Sequence, residues 1–205
     1  MSTHSPEIIY LASKSPRRRE LLKQVGIHFE LMLTREKAPR CDVDEAPLPE
    51  ETPHQYVQRV VRLKAECAVK AMRERRLPPR PLLTADTTVT IDGRILGKPL
   101  DRVDALAMLA LLSGNTHQVL TAVAVSDTTR TEQILTTSFV TFDRLGDDEM
   151  KRYVDSGEPM DKAGGYAVQG MAARFISKLS GSYSGVMGLP LYETVKLLRQ
   201  FGVPL

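Results

Sequence analysis

The sequence predicts an α/β protein, and three observations support this prediction. Short apolar runs typical of buried strands alternate with segments in which apolar residues recur at helical spacing. The length of 205 residues suits a single domain over 1–205, or two small lobes around one site. Hydrophobic residues make up 42% and charged residues 26%, near the values of folded proteins, which excludes a mainly disordered chain.

The first elements are marked by signals at their ends. Residues 8–12 form a short apolar run and predict a buried first strand. A helix follows, because Ser15 is a favoured N-cap, Pro16 suits the first helical position and Gly26 is a typical end. Apolar residues alternate over 29–33, which predicts a second strand.

The next segment is predicted to be a long loop followed by a long helix. Residues 34–51 contain three prolines and a run of acidic residues, and loops of this length often carry functional sites. Thr52 and Gln55 form a capping box that begins the helix. Its apolar residues continue at helical spacing to Met72, and the proline-rich stretch 75–81 breaks it.

The second half of the chain continues the alternation. We predict strands at 82–86, 88–91, 95–96, 118–125 and 133–142, and helices at 101–112, 148–154 and 190–201. Asp92-Gly93 is a strong hairpin signal between two of these strands. A glycine-rich stretch covers 164–170, and the runs 175–179 and 183–187 flank a Gly181-Ser182 turn.

Composition limits the classes of function. No run approaches the roughly 20 apolar residues that cross a bilayer, and the first residues lack the basic and apolar regions of a signal peptide, so we expect a cytoplasmic protein without membrane contact. The net charge of +3 is too small to imply nucleic acid by itself.

Several common motifs fail on inspection. Residues 93–98 have one residue too few for a Walker A loop, and Pro99 stands where a magnesium-binding hydroxyl belongs. Residues 181–185 place Tyr183 where a nucleophile elbow needs serine. The histidines and cysteines lack the spacing of zinc ligands.

The remaining signals are charged residues at the ends of elements. Residues 13–19 combine hydroxyls, arginines and a helix N-terminus, which suits phosphate binding, although an ordinary capped helix with solvated arginines explains them equally well. Asp86 follows a buried run and could activate a water, hold a metal, or simply cap a turn. Lys98 and Lys162 taken alone are typical surface charges.

An ordered series of motifs nevertheless resembles the Maf family of nucleoside triphosphate pyrophosphatases. The opening signature is LASKSPRRRELL at 11–22. The later blocks are ADT at 85–87, GKP at 97–99, LSGNTH at 112–117, DKAGGY at 161–166, QG at 169–170 and VMGLP at 186–190. Because these blocks occur in the family's order over nearly the whole chain, the resemblance is specific.

The resemblance implies a fold and a reaction. The expected fold is a mixed, twisted sheet flanked by helices, with two lobes around a central cleft, as in ITPase-like proteins. The expected reaction is hydrolysis of a nucleoside triphosphate to the monophosphate and pyrophosphate with Mg²⁺ or Mn²⁺, in a nucleotide house-cleaning role. A homodimer is also an expectation from the family.

The resemblance also assigns roles to residues. Asp86 matches the general base, and Glu45 is expected to share a metal with it. The residues expected to bind phosphate are Ser13, Ser15, Arg17, Arg18, Lys64, Lys98 and Lys162. Arg17, Thr87 and Gln169 match the positions that set substrate choice, and they resemble the branch acting on dTTP and UTP rather than on 7-methyl-GTP.

Two other functions remain open at this stage. The basic stretches 17–19 and 73–80 could bind nucleic acid, in which case binding would depend steeply on salt. A regulator of cell division that senses a nucleotide without hydrolysing it would carry the same motifs as the enzyme, and only turnover separates the two.

Overall fold

The structure is a computed structural model that describes residues 8–32 and 43–204. Its strands are β1 Ile8–Leu11, β2 His28–Leu31, β3 Leu82–Ile91, β4 Arg94–Leu96, β5 Thr116–Ser126, β6 Thr131–Phe142 and β7 Ile176–Ser180. Its α-helices are α1 Pro16–Gln24, α2 Pro53–Glu74, α3 Arg102–Leu112, α4 Asp147–Asp155, α5 Tyr183–Met187 and α6 Leu191–Gln200. Short 3₁₀ turns cover Glu158–Asp161, Ala163–Gly165 and Met171–Phe175.

Most predicted elements are confirmed, with two differences. The two runs at 82–86 and 88–91 are one continuous strand, β3. The run at 183–187 is the helix α5, because the Ser182 hydroxyl accepts a hydrogen bond from the amide of Gly185 and caps it. Of the predicted loop at 34–51, residues 43–51 are described and contain no helix or strand; its remainder, and residue 33 at the predicted end of the second strand, lie outside the described residues.

The described strands form one mixed sheet in the order β2-β1-β3-β5-β6-β7, with β4 also paired to β3. β1 runs parallel to β2 and β3, whereas β3, β5, β6 and β7 pair antiparallel in succession. The prediction of a mixed sheet flanked by helices is therefore confirmed. Within the described ranges, no helix is long and apolar enough to cross a membrane.

Helices cover both faces of the sheet and divide one face in two. On one face, α2 packs its apolar side over β5. On the other face, Ala85 of β3 packs into an apolar cluster with α1 and α6, and Val89 packs into a second cluster with α3 and α4. Thr87 lies between them in the strand, so a cleft separates the two lobes at this point.

The pairing of β3 is interrupted at the same point. One edge of β3 is hydrogen-bonded to β5 from Leu82 to Thr90. On the other edge, β1 pairs only with Leu82 and Leu83, and β4 begins to pair at Val89. Among the described residues, no strand pairs with 84–88 on that side, and the interior of the molecule opens there.

A buried histidine lies in the lobe that contains α3 and α4. His117 is 1% exposed, and its Nε2 lies 2.7 Å from the hydroxyl of Tyr166. Its ring also makes edge contacts with Tyr166 and Phe142. Burial lowers the pKa of His117 from 6.5 to about 4, so the folded protein keeps this imidazole neutral at physiological pH.

This burial predicts a loss of stability in acid. The unfolded chain protonates His117 below pH 6.5, whereas the folded chain resists protonation until about pH 4. The stabilisation is therefore complete above pH 6.5 and is lost as the pH falls towards 4. Between pH 7 and 4.5 the wild type should lose about 2–3 kcal/mol more unfolding free energy than His117→Gln, in urea titrations. Parallel pH profiles of the two proteins would contradict this expectation.

Candidate active site

The site lies at the unpaired stretch of β3 and uses both faces of that strand. Successive side chains of a strand point to opposite faces. Asp86 consequently faces α2, whereas Thr87 faces the cleft between the two lobes. Together with the end of β1, this stretch opens into a cavity of about 1030 Å³.

Every site residue predicted from the sequence lines this cavity. Its lining includes Ser13, Ser15, Arg17, Arg18, Glu45, Lys64, Asp86, Thr87, Lys98, Lys162 and Gln169. These residues come from the segment between β1 and α1, from α1, the loop before α2, α2, β3, the segment after β4 and the segment 162–169. Residues far apart in sequence therefore surround one concave space, as ligand sites commonly do.

On the α2 side, one lysine holds two carboxylates. Lys64 Nζ donates to Asp86 Oδ1 at 2.6 Å and lies 3.0 Å from Glu45 Oε1. Asp86 is 9% exposed, and the Lys64 ammonium group fixes the position of its carboxylate. The Tyr56 hydroxyl donates to the backbone oxygen of Glu45 at 3.0 Å and keeps the acidic loop against α2.

Tyr56 was not predicted as a site residue, although it lines the cavity. Burial raises the pKa of its phenol to about 12, and the negative charges of Asp86 and Glu45 act in the same direction. Tyr56 therefore stays protonated and keeps its hydrogen bond across the physiological range. Nothing in its local sequence, a tyrosine in the first turn of a helix, signals this contact.

On the cleft side, Arg18 is held by three neutral oxygens. Its Nε donates to the backbone oxygen of Gly188 at 2.8 Å. Its Nη1 donates to Ser13 Oγ at 3.2 Å, and its Nη2 donates to Thr87 Oγ1 at 3.3 Å. Burial lowers the pKa of Arg18, while the negative charge of Asp86 opposes that shift. An arginine guanidinium stays charged in proteins.

The two predicted phosphate-binding serines have partners within the protein. Ser15 caps α1 by accepting a hydrogen bond from the Arg18 amide at 3.4 Å. Ser13 Oγ accepts bonds from the Ser15 amide and from Arg18. Both hydroxyls act here as acceptors, so their protons remain available for a phosphate oxygen.

A backbone hydrogen bond at the start of the glycine-rich stretch joins the two segments that carry the remaining lysines of the cavity. The Gly164 amide donates to the Gly97 backbone oxygen at 2.9 Å, which joins the segments carrying Lys162 and Lys98. Lys162 donates to the Glu158 backbone oxygen at 2.9 Å and pairs with Asp161. Lys98 is exposed at the cavity wall.

Gln169 lies at the exposed part of the cavity lining. The backbone that follows it is fixed by Glu158. The Glu158 carboxylate accepts bonds from the amides of Met171 and Ala172 at 2.9 and 3.4 Å. It also accepts a bond from the Tyr153 hydroxyl at 2.9 Å. Glu158 therefore ties the Gln169 segment to the Lys162 segment, a role that its sequence context does not reveal.

The predicted metal ligands fit a metal that is shared with a substrate. Glu45 and Asp86 both reach Lys64, but the described residues contain no group of three acidic, histidine or cysteine side chains that could hold an ion. Mg²⁺ commonly binds one or two carboxylates and completes its coordination with phosphate oxygens and water. The donor set suits that arrangement rather than a closed metal site formed by protein alone.

The close packing of Gly164 predicts the first consequence of mutation at the site. Gly164 has φ +71°, and a Cβ there would lie 2.8 Å from a methyl of Val89. Gly93 has a similar φ of +76° with nothing within 4 Å of its hypothetical Cβ. Gly164→Ala should cost about 3 kcal/mol from backbone strain and overlap, whereas Gly93→Ala should cost about 1 kcal/mol from strain alone.

Urea unfolding of both variants measures this difference. The Gly93→Ala control carries the same conformational strain, so the difference between the two values isolates the contact with Val89. Equal losses would show that the glycine segment moves away from β3 easily, and that its position is not fixed by close packing.

The fold and the cavity define a class: a mixed α/β protein with a cation-lined cleft suited to a polyphosphate ligand. The Ham1 protein of Staphylococcus aureus has a similar fold, with a TM-score of 0.50 over 95% of this chain and 97% of that chain. At 17% sequence identity, this likeness concerns the fold alone. It agrees with the predicted ITPase-like architecture.

The chain belongs to the Maf family, since the family model described as Maf-like protein matches residues 8–201. A relative from Aromatoleum aromaticum is 54% identical over 199 residues, covering 96% of this chain and 97% of the relative. A relative from Nitrosomonas europaea is 52% identical over 204 residues, covering 99% of each. Both relatives are named dTTP/UTP pyrophosphatase.

Proposed function

We propose that this protein hydrolyses dTTP and UTP to the monophosphate and pyrophosphate, in a cytoplasmic house-cleaning role. The observation that carries the proposal is the buried Asp86 carboxylate, which stands in a cavity lined by Arg17, Arg18, Lys98 and Lys162. The names of the two relatives support the same substrates. A homodimer stays a prediction from the family.

Asp86 supplies the base in this proposal. The ionised carboxylate accepts a proton from a water that attacks the α-phosphorus. The bond from that phosphorus to the oxygen bridging the α- and β-phosphates breaks, and the electrons leave with pyrophosphate. Lys64 keeps the carboxylate in place through its 2.6 Å hydrogen bond.

The cations of the cavity stabilise the charge that moves onto the leaving pyrophosphate. Arg18 is fixed before substrate arrives, so it costs little reorganisation when that charge develops. The arginine fork can bind two phosphate oxygens at once, and the lysines act as point charges. Mg²⁺ or Mn²⁺ held by Asp86 and Glu45 would neutralise further phosphate charge when bound.

The first test removes the proposed base. Asp86→Asn keeps the shape of the side chain but cannot take the proton, so kcat for pyrophosphate release should fall by about 10²- to 10⁴-fold. Asp155→Asn is the matched control, because Asp155 pairs with Arg102 at the surface, and its kcat should stay within about twofold of wild type. A fully active Asp86→Asn would refute the assigned role.

The second test is the choice of nucleotide. A panel of nucleoside triphosphates with Mg²⁺ or Mn²⁺ should give the highest kcat/KM for dTTP and UTP. Turnover of 7-methyl-GTP alone would keep the reaction but contradict the roles proposed for Arg17, Thr87 and Gln169. Nucleotide binding without any turnover would instead favour the sensing regulator.

A further inference from the structure

A buried threonine outside the predicted site contacts it from the neighbouring strand. Thr121 lies on β5 directly opposite Thr87 in the strand register, and it is 1% exposed. Its Oγ1 lies 2.8 Å from the backbone oxygen of Gly185 and 3.1 Å from Thr87 Oγ1. Thr121 thus touches both β3 and α5 at the floor of the cleft.

The number of protons decides how these hydroxyls are oriented. A threonine hydroxyl carries one proton, so Thr121 cannot donate to both neighbours at the same time. The Gly185 carbonyl oxygen can only accept, and its distance is the shorter, so it takes the Thr121 proton. The Thr87 hydroxyl can then donate to Thr121 Oγ1, and its own oxygen is left to accept from Arg18 Nη2.

The hydrogen bonds of Thr121 affect two of the three oxygens that accept hydrogen bonds from Arg18. Thr87 presents its oxygen to the guanidinium, because its proton is directed to Thr121. Gly188, whose backbone oxygen accepts from Arg18 Nε, follows directly after α5, the helix anchored by the bond from Thr121 to Gly185. One hydroxyl therefore influences both a side-chain and a main-chain acceptor of the same arginine.

We propose that Thr121 is a positioning residue, which orients the Thr87 hydroxyl and anchors α5 so that Arg18 is held ready for phosphate. The kinetic consequences of this role rest on the proposed hydrolysis of nucleoside triphosphates. The base is on the other face of β3, where Asp86 meets Lys64, and Thr121 makes no hydrogen bond to either residue. Loss of the Thr121 hydroxyl should accordingly weaken substrate binding more than the chemical step.

The test replaces the hydroxyl by a methyl group of similar size. Thr121→Val should raise KM for dTTP about tenfold and change kcat less than threefold, whereas Thr121→Ser should stay within threefold of wild type in both. Thr84→Val is the matched control: Thr84 is buried on β3, and its hydroxyl lies 3.5 Å from the carbonyl oxygens of Val61 and Ala124, away from Arg18. Its kinetic constants should stay within twofold.

A second measurement does not depend on turnover. The Nε proton of Arg18 is hydrogen-bonded to Gly188, and its NMR signal, assigned with Arg18→Lys, should exchange with solvent at least tenfold faster in Thr121→Val. The rate in Thr84→Val should be unchanged. An unchanged rate in Thr121→Val would overturn the proposal, even if the variant were less stable.

A double variant separates positioning from general damage. If Thr121 acts through Thr87, then Thr87→Val alone should also speed the exchange of the Arg18 Nε proton. In the double variant Thr87→Val with Thr121→Val, the increase in exchange rate should be smaller than the product of the two single increases. Independent effects, which multiply in the pair, would overturn the proposed orientation of Thr87 by Thr121. If Thr121→Val does not fold, the test uses Thr87→Val alone. An Arg18 Nε proton that exchanges at the wild-type rate in that variant would also overturn the proposal. Absence of pyrophosphate release by the wild type would refute the proposed function, while the exchange rates would still decide the role of Thr121.

Discussion

The site depends on the interruption of pairing along one buried strand. β3 is paired with β5 from Leu82 to Thr90, but its other edge has a gap between the end of β1 and the start of β4. A strand pairing across this gap would place backbone where the cavity now lies. Because neighbouring side chains alternate in direction, the same gap presents Asp86 on one face and Thr87 on the other. In the proposed mechanism, proton transfer and phosphate binding therefore use different sides of a single strand.

The two sides differ in how their cations are balanced. Lys64 is paired with two carboxylates, so its charge is largely neutralised and serves to hold Asp86. Arg18 instead meets two hydroxyl oxygens and one carbonyl oxygen, all of them neutral. These oxygens fix the guanidinium without cancelling its charge. A partly buried cation whose hydrogen-bond partners are all neutral attracts an anion, and for this reason Arg18 is suited to binding phosphate.

Local signals explain why much of the fold could be predicted from the sequence. The helix starts at Ser15 and Thr52 follow from capping bonds within three residues, and the structure contains both. The helix at 183–187 was not identified, because five residues give too little periodicity. Thr121 could not be found at all: its role depends on a register between β3 and β5 that places it opposite Thr87, 34 residues away in the chain. The site residues could be predicted because their motifs resemble those of the Maf family, whereas their local chemistry alone does not distinguish them from surface charges.

The positions of the basic residues also bear on the nucleic-acid hypothesis. That hypothesis needs the arginines of 17–19 and 73–80 to form one exposed surface. Arg73 instead donates to the Thr128 backbone oxygen at 2.7 Å, and Arg80 pairs with Glu30 at 2.7 Å while its guanidinium stacks on Tyr10. Arg18 is directed into the cavity. The cavity of about 1030 Å³ that Arg17, Arg18, Lys98 and Lys162 line is concave, which suits a single nucleotide better than the backbone of a polymer.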